Sequence, residues 1–206
     1  EIAARICKES GVNIEIIDGK TEAEIIFSTQ IAEHLNFKKS YLYVDVGGGS
    51  TELTVFSEGK QVTAYSFNIG TLRLLNEKIT VADWQVMRDW IKEVTADYTS
   101  MAIIGSGGNI NKLFKMAWKP EGKPLSYEHI RNSYQFLKSF SLDDRIRLLG
   151  LKPDRADVIV PATEIFKNVM EWSGIKKVFV PKIGLVDGIV KKVYENHVKM
   201  KSHQEA

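Results

Sequence analysis

Two carboxylates, Asp45 and Glu52, bracket three consecutive glycines and two hydroxyls in Asp45-Val46-Gly47-Gly48-Gly49-Ser50-Thr51-Glu52. Each residue type here suits phosphate chemistry. Glycines let backbone N–H groups approach an anion where a Cβ would clash, so Gly47, Gly48, Gly49 and Ser50 are candidate phosphate donors. Asp45 and Glu52 are candidate metal ligands. Carboxylates are hard oxygen donors, and Mg²⁺ usually takes one or two of them plus waters and phosphate oxygens. The competing reading is a plain Gly-rich hairpin with charged flanks, but such a hairpin needs only one or two glycines.

A second glycine cluster, Gly105-Ser106-Gly107-Gly108-Asn109, lies between an apolar run, Met101–Ile104, and a helix that the pattern starts near Ile110. Strand, Gly-rich turn and helix form a recurring anion site, because a helix N-terminus presents unpaired N–H groups. Gly107, Gly108 and Asn109 are therefore candidates for a second phosphate contact. Lys112 and Lys115, one turn apart on that helix, extend an electropositive track or simply occupy a solvated face. Glu22 falls in the first turn of an expected helix, Thr21–Leu35, where by itself it reads as a partner of the helix macrodipole. His34, His129, His197 and His203 show no metal-ligand spacing, and Cys7 reads as a small core residue.

These residues need a scaffold, and the patterning supplies one. Glu1–Glu9 reads as an amphipathic helix capped by Gly11. Val12, Ile14 and Ile16 alternate as a strand. Three strands then follow in quick succession, Tyr41–Val46, Thr51–Phe56 and Gln61–Asn68, and their short connections require antiparallel pairing. Helices are expected over Thr71–Lys78, Ala82–Tyr98 with Thr80 as N-cap, from Ser126 to about Ser139, over Leu142–Leu148, over Arg155–Trp172 with a break or start near Pro161, and over Gly184–Lys199. A last strand is expected at Lys177–Val180. The order predicts an α/β layer structure.

A length of 206 residues suggests one large domain or a domain plus a small appendage, and 44% apolar content provides enough material for a core. The net charge of +2 argues against nucleic acid as a partner. No apolar run approaches the ~20 residues that span a membrane. One cysteine makes no disulfide framework and fits a reducing compartment. The chain opens inside a helix with no initiator methionine, which suggests a piece of a longer protein.

Asp45-Val46-Gly47-Gly48-Gly49-Ser50-Thr51-Glu52 resembles the signature of the exopolyphosphatase/guanosine pentaphosphate phosphohydrolase (Ppx/GppA) family, within the sugar kinase, Hsp70 and actin-like ATPase superfamily. Ile16-Ile17-Asp18-Gly19 with Glu22-Ala23, Gly70-Thr71-Leu72-Arg73-Leu74, Gly105–Asn109, Arg155-Ala156-Asp157-Val158-Ile159, and Gly184-Leu185 with Gly188 resemble its other segments in order and spacing. The resemblance spans roughly residues 1 to 195. It departs at Thr21, Asn109 and Val186-Asp187, where the family often has a second Glu, a Thr, and Arg-Glu.

The resemblance implies an actin-like ATPase (ribonuclease H-like) lobe, a mixed sheet with helices on both faces. It implies that residues 1–200 form the second lobe of a two-lobe core, with a frayed tail at 201–206 and the N-terminal lobe, with its own phosphate loop, supplied from upstream. The implied activity is Mg²⁺-dependent hydrolysis of a terminal phosphoanhydride of polyphosphate or guanosine penta- or tetraphosphate by in-line water attack. This chain alone is expected to be nearly inactive. Glu22 then becomes the catalytic base. Arg73, at the family's distance from Gly70, becomes a clamp for phosphate oxygens, a surface salt bridge being the alternative. A cytoplasmic setting is implied, no membrane partner is expected, and a homodimer is compatible with the sequence. An actin-like nucleotide-binding or sugar kinase relative, and a non-catalytic alarmone-binding module, are the rival readings.

Overall fold

A computed structural model describes residues 2–12, 39–181, 190 and 194. The strand and helix expected between residues 13 and 38, with Glu22, lie outside the described residues, as does most of the closing helix with Val186-Asp187-Gly188.

The described strands form one sheet. Strands β1 (Ser40–Val46), β2 (Thr51–Ser57), β3 (Lys60–Phe67), β4 (Met101–Ser106), β5 (Leu125–Ser126) and β6 (Lys177–Phe179) lie in the order β3-β2-β1-β4-β6-β5. Neighbours β1–β2, β2–β3 and β5–β6 run antiparallel, while β1–β4 and β4–β6 run parallel. The first three strands are the expected antiparallel triplet, joined by tight turns. Parallel pairing of β1 with β4 puts the C-terminal ends of both strands, and hence both glycine clusters, at the same end of the sheet.

Helices are α1 (Ile2–Ser10), α2 (Thr71–Leu75), α3 (Val81–Thr95), α4 (Gly108–Met116), α5 (Tyr127–Lys138), α6 (Leu142–Arg147), α7 (Pro153–Ala156) and α8 (Ile159–Ser173). Alternation along β1 sorts the two faces of the sheet. Leu42, Val44 and Val46 join Leu53, Val55 and Ile103 in the main apolar core, together with Ile165, Phe166 and Val169 of α8. Helix α8 packs against α2, α3, α4, α5 and β1. Its apolar residues bury on several sides, as expected of a helix without a wide polar face. A Cβ on Gly105 would sit 3.1 Å from each of Ile110, Phe166 and Val178, so the glycine in β4 lets α4 and α8 close on the sheet. Met87 and Ile91 of α3 are fully buried, and Trp84, Trp90 and Val94 pack beside them, the stripe expected from the sequence.

Local chemistry sets the boundaries. Thr80 closes a capping box with Asp83, each side chain bonding the other's backbone N–H. The Asp83 carboxyl pKa is held below its usual value, first by a hydrogen bond from the Thr80 hydroxyl and then by the one from the Thr80 backbone N–H. Ser126 and Ser141 cap α5 and α6. Helix α2 stops at Leu75, short of Lys78, and Glu77 takes a left-handed φ of 53°. The helix expected over Arg155–Trp172 with a break or start near Pro161 is two, α7 and α8, divided slightly earlier, at Asp157 and Val158. Pro161 sits in the first turn of α8, where its missing N–H costs no helical bond. The two-residue strand β5 is too short to leave a periodic signal. Cys7 is exposed rather than in the core. Its neighbour Ile6 takes the half-buried position on α1, and one residue further turns the side chain roughly 100° around the helix.

Candidate functional site

The hairpin between β1 and β2 closes with the Gly47 N–H on the Ser50 carbonyl at 2.9 Å. Gly47 therefore spends its amide on the turn. The next three peptides behave differently. Thr71 N–H donates to Gly47 O at 3.0 Å and Leu72 N–H to Gly48 O at 2.9 Å. Arg73 Nε donates to Gly49 O at 2.7 Å. Three successive residues at the start of α2 thus hold three successive carbonyls of the glycine turn. A trans peptide points its N–H opposite its C=O. Pinning those carbonyls therefore aims the amides of Gly48, Gly49 and Ser50 to the other side. Among the described residues none of these three amides is hydrogen-bonded. Adjacent N–H groups pointing one way form an anion-binding concavity.

The packing shows why α2 can reach. A Cβ on Gly70 would lie 2.5 Å from Gly49 C and 2.6 Å from Gly48 C, and closer still to Gly48 O. No other residue type fits there. Thr51 Oγ1, buried, adds a 2.6 Å bond to Ile69 O. At Gly49, by contrast, a Cβ would meet nothing within 4 Å, and its φ is outside the left-handed range. The fold itself does not require glycine at that position.

The two carboxylates stand next to this turn. Asp45 pairs with Glu52 across β1–β2, Asp45 with Ser106 across β1–β4, and Glu52 with Ser66 across β2–β3. Residues directly opposite share a face. Ser66, Glu52, Asp45 and Ser106 therefore form a polar row on one face at the end of the sheet. Glu52 Oε1 accepts from Ser50 Oγ at 2.6 Å and from Ser66 Oγ at 3.0 Å. Both bonds fall on one oxygen, which fixes the carboxylate while leaving the lone pairs of Oε2 for a ligand. The donor set, two carboxylates with hydroxyls beside them, has the hard-oxygen character that Mg²⁺ selects. Among the described residues no cluster of three or more His, Cys, Asp or Glu surrounds a point, so a metal here would complete its shell with water or phosphate oxygens.

The second glycine cluster meets the first through Asp45. Gly107 caps α4 with φ 103°, and a Cβ there would sit 3.2 Å from Asp45 Oδ1 and 3.3 Å from Val46 O. The first helical bond runs from Asn111 N–H to Gly107 O at 3.3 Å, so the amides of Gly108 and Asn109 precede the helical ladder. Asn109 is buried, 6% exposed, and its Oδ1 has no hydrogen-bond partner among the described residues. A Cβ on Gly108 would overlap the Arg155 guanidinium, with Cζ at 2.6 Å. Arg155, Lys112, Lys115 and Lys152 line a cavity of about 420 Å³ beside Gly108.

The structure thus brings together Asp45, Glu52, Gly47, Gly48, Gly49, Ser50, Gly107, Gly108 and Asn109. It also brings Arg73 to the first turn, but to the carbonyl side, away from where the amides point. Arg73 Nε serves the turn's geometry rather than an anion on the amide side. Glu22 is outside the described residues. Sequence reasoning assigned no role to Gly70, Ser66 or Arg155. Gly70 was visible only as part of a turn, and Ser66 needed the β2–β3 register. Arg155, remote in sequence from Gly108, stood out only as the first residue of a segment that resembles the family.

The family model for the Ppx/GppA phosphatase family matches residues 1–197. The chain is 27% identical to the bifunctional 3-dehydroquinate synthase/phosphatase of Fusobacterium nucleatum, over 93% of this chain and 32% of that protein. It is 26% identical to exopolyphosphatase 2 of Mycobacterium tuberculosis, over 87% of this chain and 63% of that protein. It therefore spans less than two thirds of either relative. Among solved structures, an exopolyphosphatase from Cytophaga hutchinsonii superposes with a TM-score of 0.75 at 22% identity, over 95% of this chain and 70% of that one. The Aquifex aeolicus Ppx/GppA family member gives 0.71 at 24%, over 94% and 69%. These likenesses establish the actin-like ATPase fold with its mixed sheet. With the family model matched over nearly its whole length, the chain belongs to the Ppx/GppA phosphatase family.

Proposed function

We propose that this chain is the second lobe of a phosphoanhydride hydrolase that removes the terminal phosphoryl group of polyphosphate or of guanosine pentaphosphate, with Mg²⁺ at Asp45 and Glu52. The observation that carries the reading is the set of three carbonyls held by Thr71, Leu72 and Arg73, which aims three amides beside a carboxylate pair. Phosphoryl transfer of this kind depends mainly on positioning and charge neutralisation. The amides of Gly48, Gly49 and Ser50 would bind the terminal phosphate. Those of Gly108 and Asn109, with Arg155, Lys112 and Lys115, would hold the next phosphates. Bound at the two carboxylates, Mg²⁺ would neutralise charge on the phosphate oxygens. Glu22 is proposed, from the family resemblance, as the base that orients the attacking water. The upstream lobe, as the other wall of the cleft, is proposed from the family resemblance, and the chain's partial span of its relatives leaves room for it. The single cysteine supports a reducing, cytoplasmic setting.

The test is phosphate release from polyphosphate and guanosine pentaphosphate by the intact protein. Glu22→Gln is expected to lower the rate at least ~100-fold with polyphosphate affinity retained; wild-type activity in that variant would remove Glu22 from the mechanism. Asp45→Asn with Glu52→Gln is expected to raise the Mg²⁺ concentration needed for half-maximal rate, and an unchanged Mg²⁺ profile would overturn the ligand assignment. Tight guanosine nucleotide binding without phosphate release would mark a sensor instead of an enzyme.

A further inference from the structure

The cationic cavity beside Gly108 has two walls. Lys112 and Lys115 stand on α4, a helix of nine residues, while Lys152 and Arg155 come from the short segment 151–156. That second wall has little of its own to hold it. Helix α7 is a single turn of four residues, and one helical turn is not stable by itself. Its internal bonds are the N–H groups of Arg155 and Ala156, which both donate to Lys152 O at 2.9 Å. Yet Arg155 lies so close over Gly108 that a Cβ there would meet its Cζ at 2.6 Å. Such a placement needs an outside restraint.

Arg145 of α6 holds both ends of the segment. At the start, its backbone carbonyl accepts the Leu151 N–H at 3.2 Å. At the end, its Nη1 donates to the carbonyl of Ala156, the residue after Arg155. That carbonyl belongs to the last turn of α7, where C=O groups lack helical partners and a cation is favoured. The Nε of the same guanidinium donates to Phe140 O at 3.2 Å, in the connection that follows α5. Phe140 is itself anchored, its ring packing edge-on against Phe136 with centroids 4.9 Å apart. Arg145 is half-buried, and among the described residues it makes no ion pair. Its charge is therefore spent on two backbone carbonyls from two elements. A planar guanidinium presents its donors in a fixed fork, which a lysine cannot reproduce.

We propose that Arg145 is a positioning residue for the phosphate path: by fixing the end of α7 it sets the Arg155 guanidinium over Gly108. This rests on the phosphate reading of the second glycine cluster. Arg145 itself touches no substrate in this arrangement and acts through Arg155.

The experiment is a double-mutant cycle on phosphate release from polyphosphate by the intact protein. Arg155→Gln is expected to raise KM about tenfold, as loss of one charged contact would. Arg145→Gln is expected to raise KM about fivefold with kcat within about twofold of wild type, and the double variant to be no worse than Arg155→Gln alone. Hydrogen exchange supplies a readout independent of substrate. The Arg155 and Ala156 amides should exchange at least ~10-fold faster in Arg145→Gln, while those of β1 keep their protection. Fold-changes in KM that multiply in the double variant, or wild-type exchange at those two amides, would overturn the assignment of Arg145 alone. An unchanged KM in Arg155→Gln would instead overturn the phosphate reading beneath it. Should Arg145→Gln fail to fold, Arg145→Lys keeps the charge but not the fork, and the same cycle is run with a smaller expected rise in KM.

Discussion

The two glycine clusters look alike in sequence, yet the molecule builds them in opposite ways. The first is a β-hairpin turn whose carbonyls are held from behind by α2, so its amides are oriented by bonds on the far side of the same peptides. The second is a strand-to-helix turn whose amides are oriented by the helix they begin, with a guanidinium laid over Gly108. In the first, the indispensable glycine for packing is Gly70, which is not in the turn at all. In the second it is Gly107, within the turn, with φ 103° and the backbone of Val46 close by. A run of glycines therefore does not say which of them the fold needs and which a ligand needs.

That contrast can be broken most forcefully at Gly70. Gly70→Ala should collide with the backbone of Gly48 and Gly49, cost about 3 kcal/mol of stability, and abolish phosphate release. Its near neighbour in space, Gly49, should behave in the reverse manner. Gly49→Ala should keep the urea midpoint within about 0.5 kcal/mol of wild type while lowering phosphate release at least ~10-fold, because a Cβ there meets only an incoming anion. If Gly49→Ala were fully active, the first turn would be a structural hairpin and not a phosphate cradle.

A smaller effect is expected at the second cluster. Gly108→Ala would displace the end of a flexible arginine rather than backbone, so the loss of stability should stay within about 1 kcal/mol. The KM for polyphosphate should rise several-fold with kcat little changed, since a displaced cation weakens binding along the chain more than chemistry at its end. An unchanged KM would separate Arg155 from the substrate path.

The sheet, its triplet of antiparallel strands, and the two glycine clusters were legible in the sequence because each depends on local pattern. Alternation in Tyr41–Val46, the short turns, the Thr80 cap and the apolar stripe through Met87 and Ile91 all reappear in place. What could not be read depends on register and packing. The pairing of Glu52 with Ser66 requires knowing which residue of β3 faces β2, across a register shift at Val55/Phe56. The bonds from residues 71–73 to the glycine turn require the angle at which α2 meets it. The resemblance singled out Arg73 as a phosphate clamp, but not as a residue that holds the turn from its carbonyl side. The exposed position of Cys7 depends on which face of α1 is covered, and periodicity in nine residues is too short to settle that.

The sheet order has a consequence for how quickly its parts can assemble. Strands β1, β2 and β3 close through short turns, whereas β6 joins β4 only after the chain has passed through residues 107–176. Loop-closure entropy must be met before such a distant contact returns anything, so long crossovers slow folding. We expect the half of the sheet that carries Asp45, the glycine turn and Glu52 to form early, and the β4–β6 seam to lock last. Pulse-labelled hydrogen exchange during refolding would show this as protection of β1–β3 amides ahead of those in β6, and simultaneous protection would rule it out.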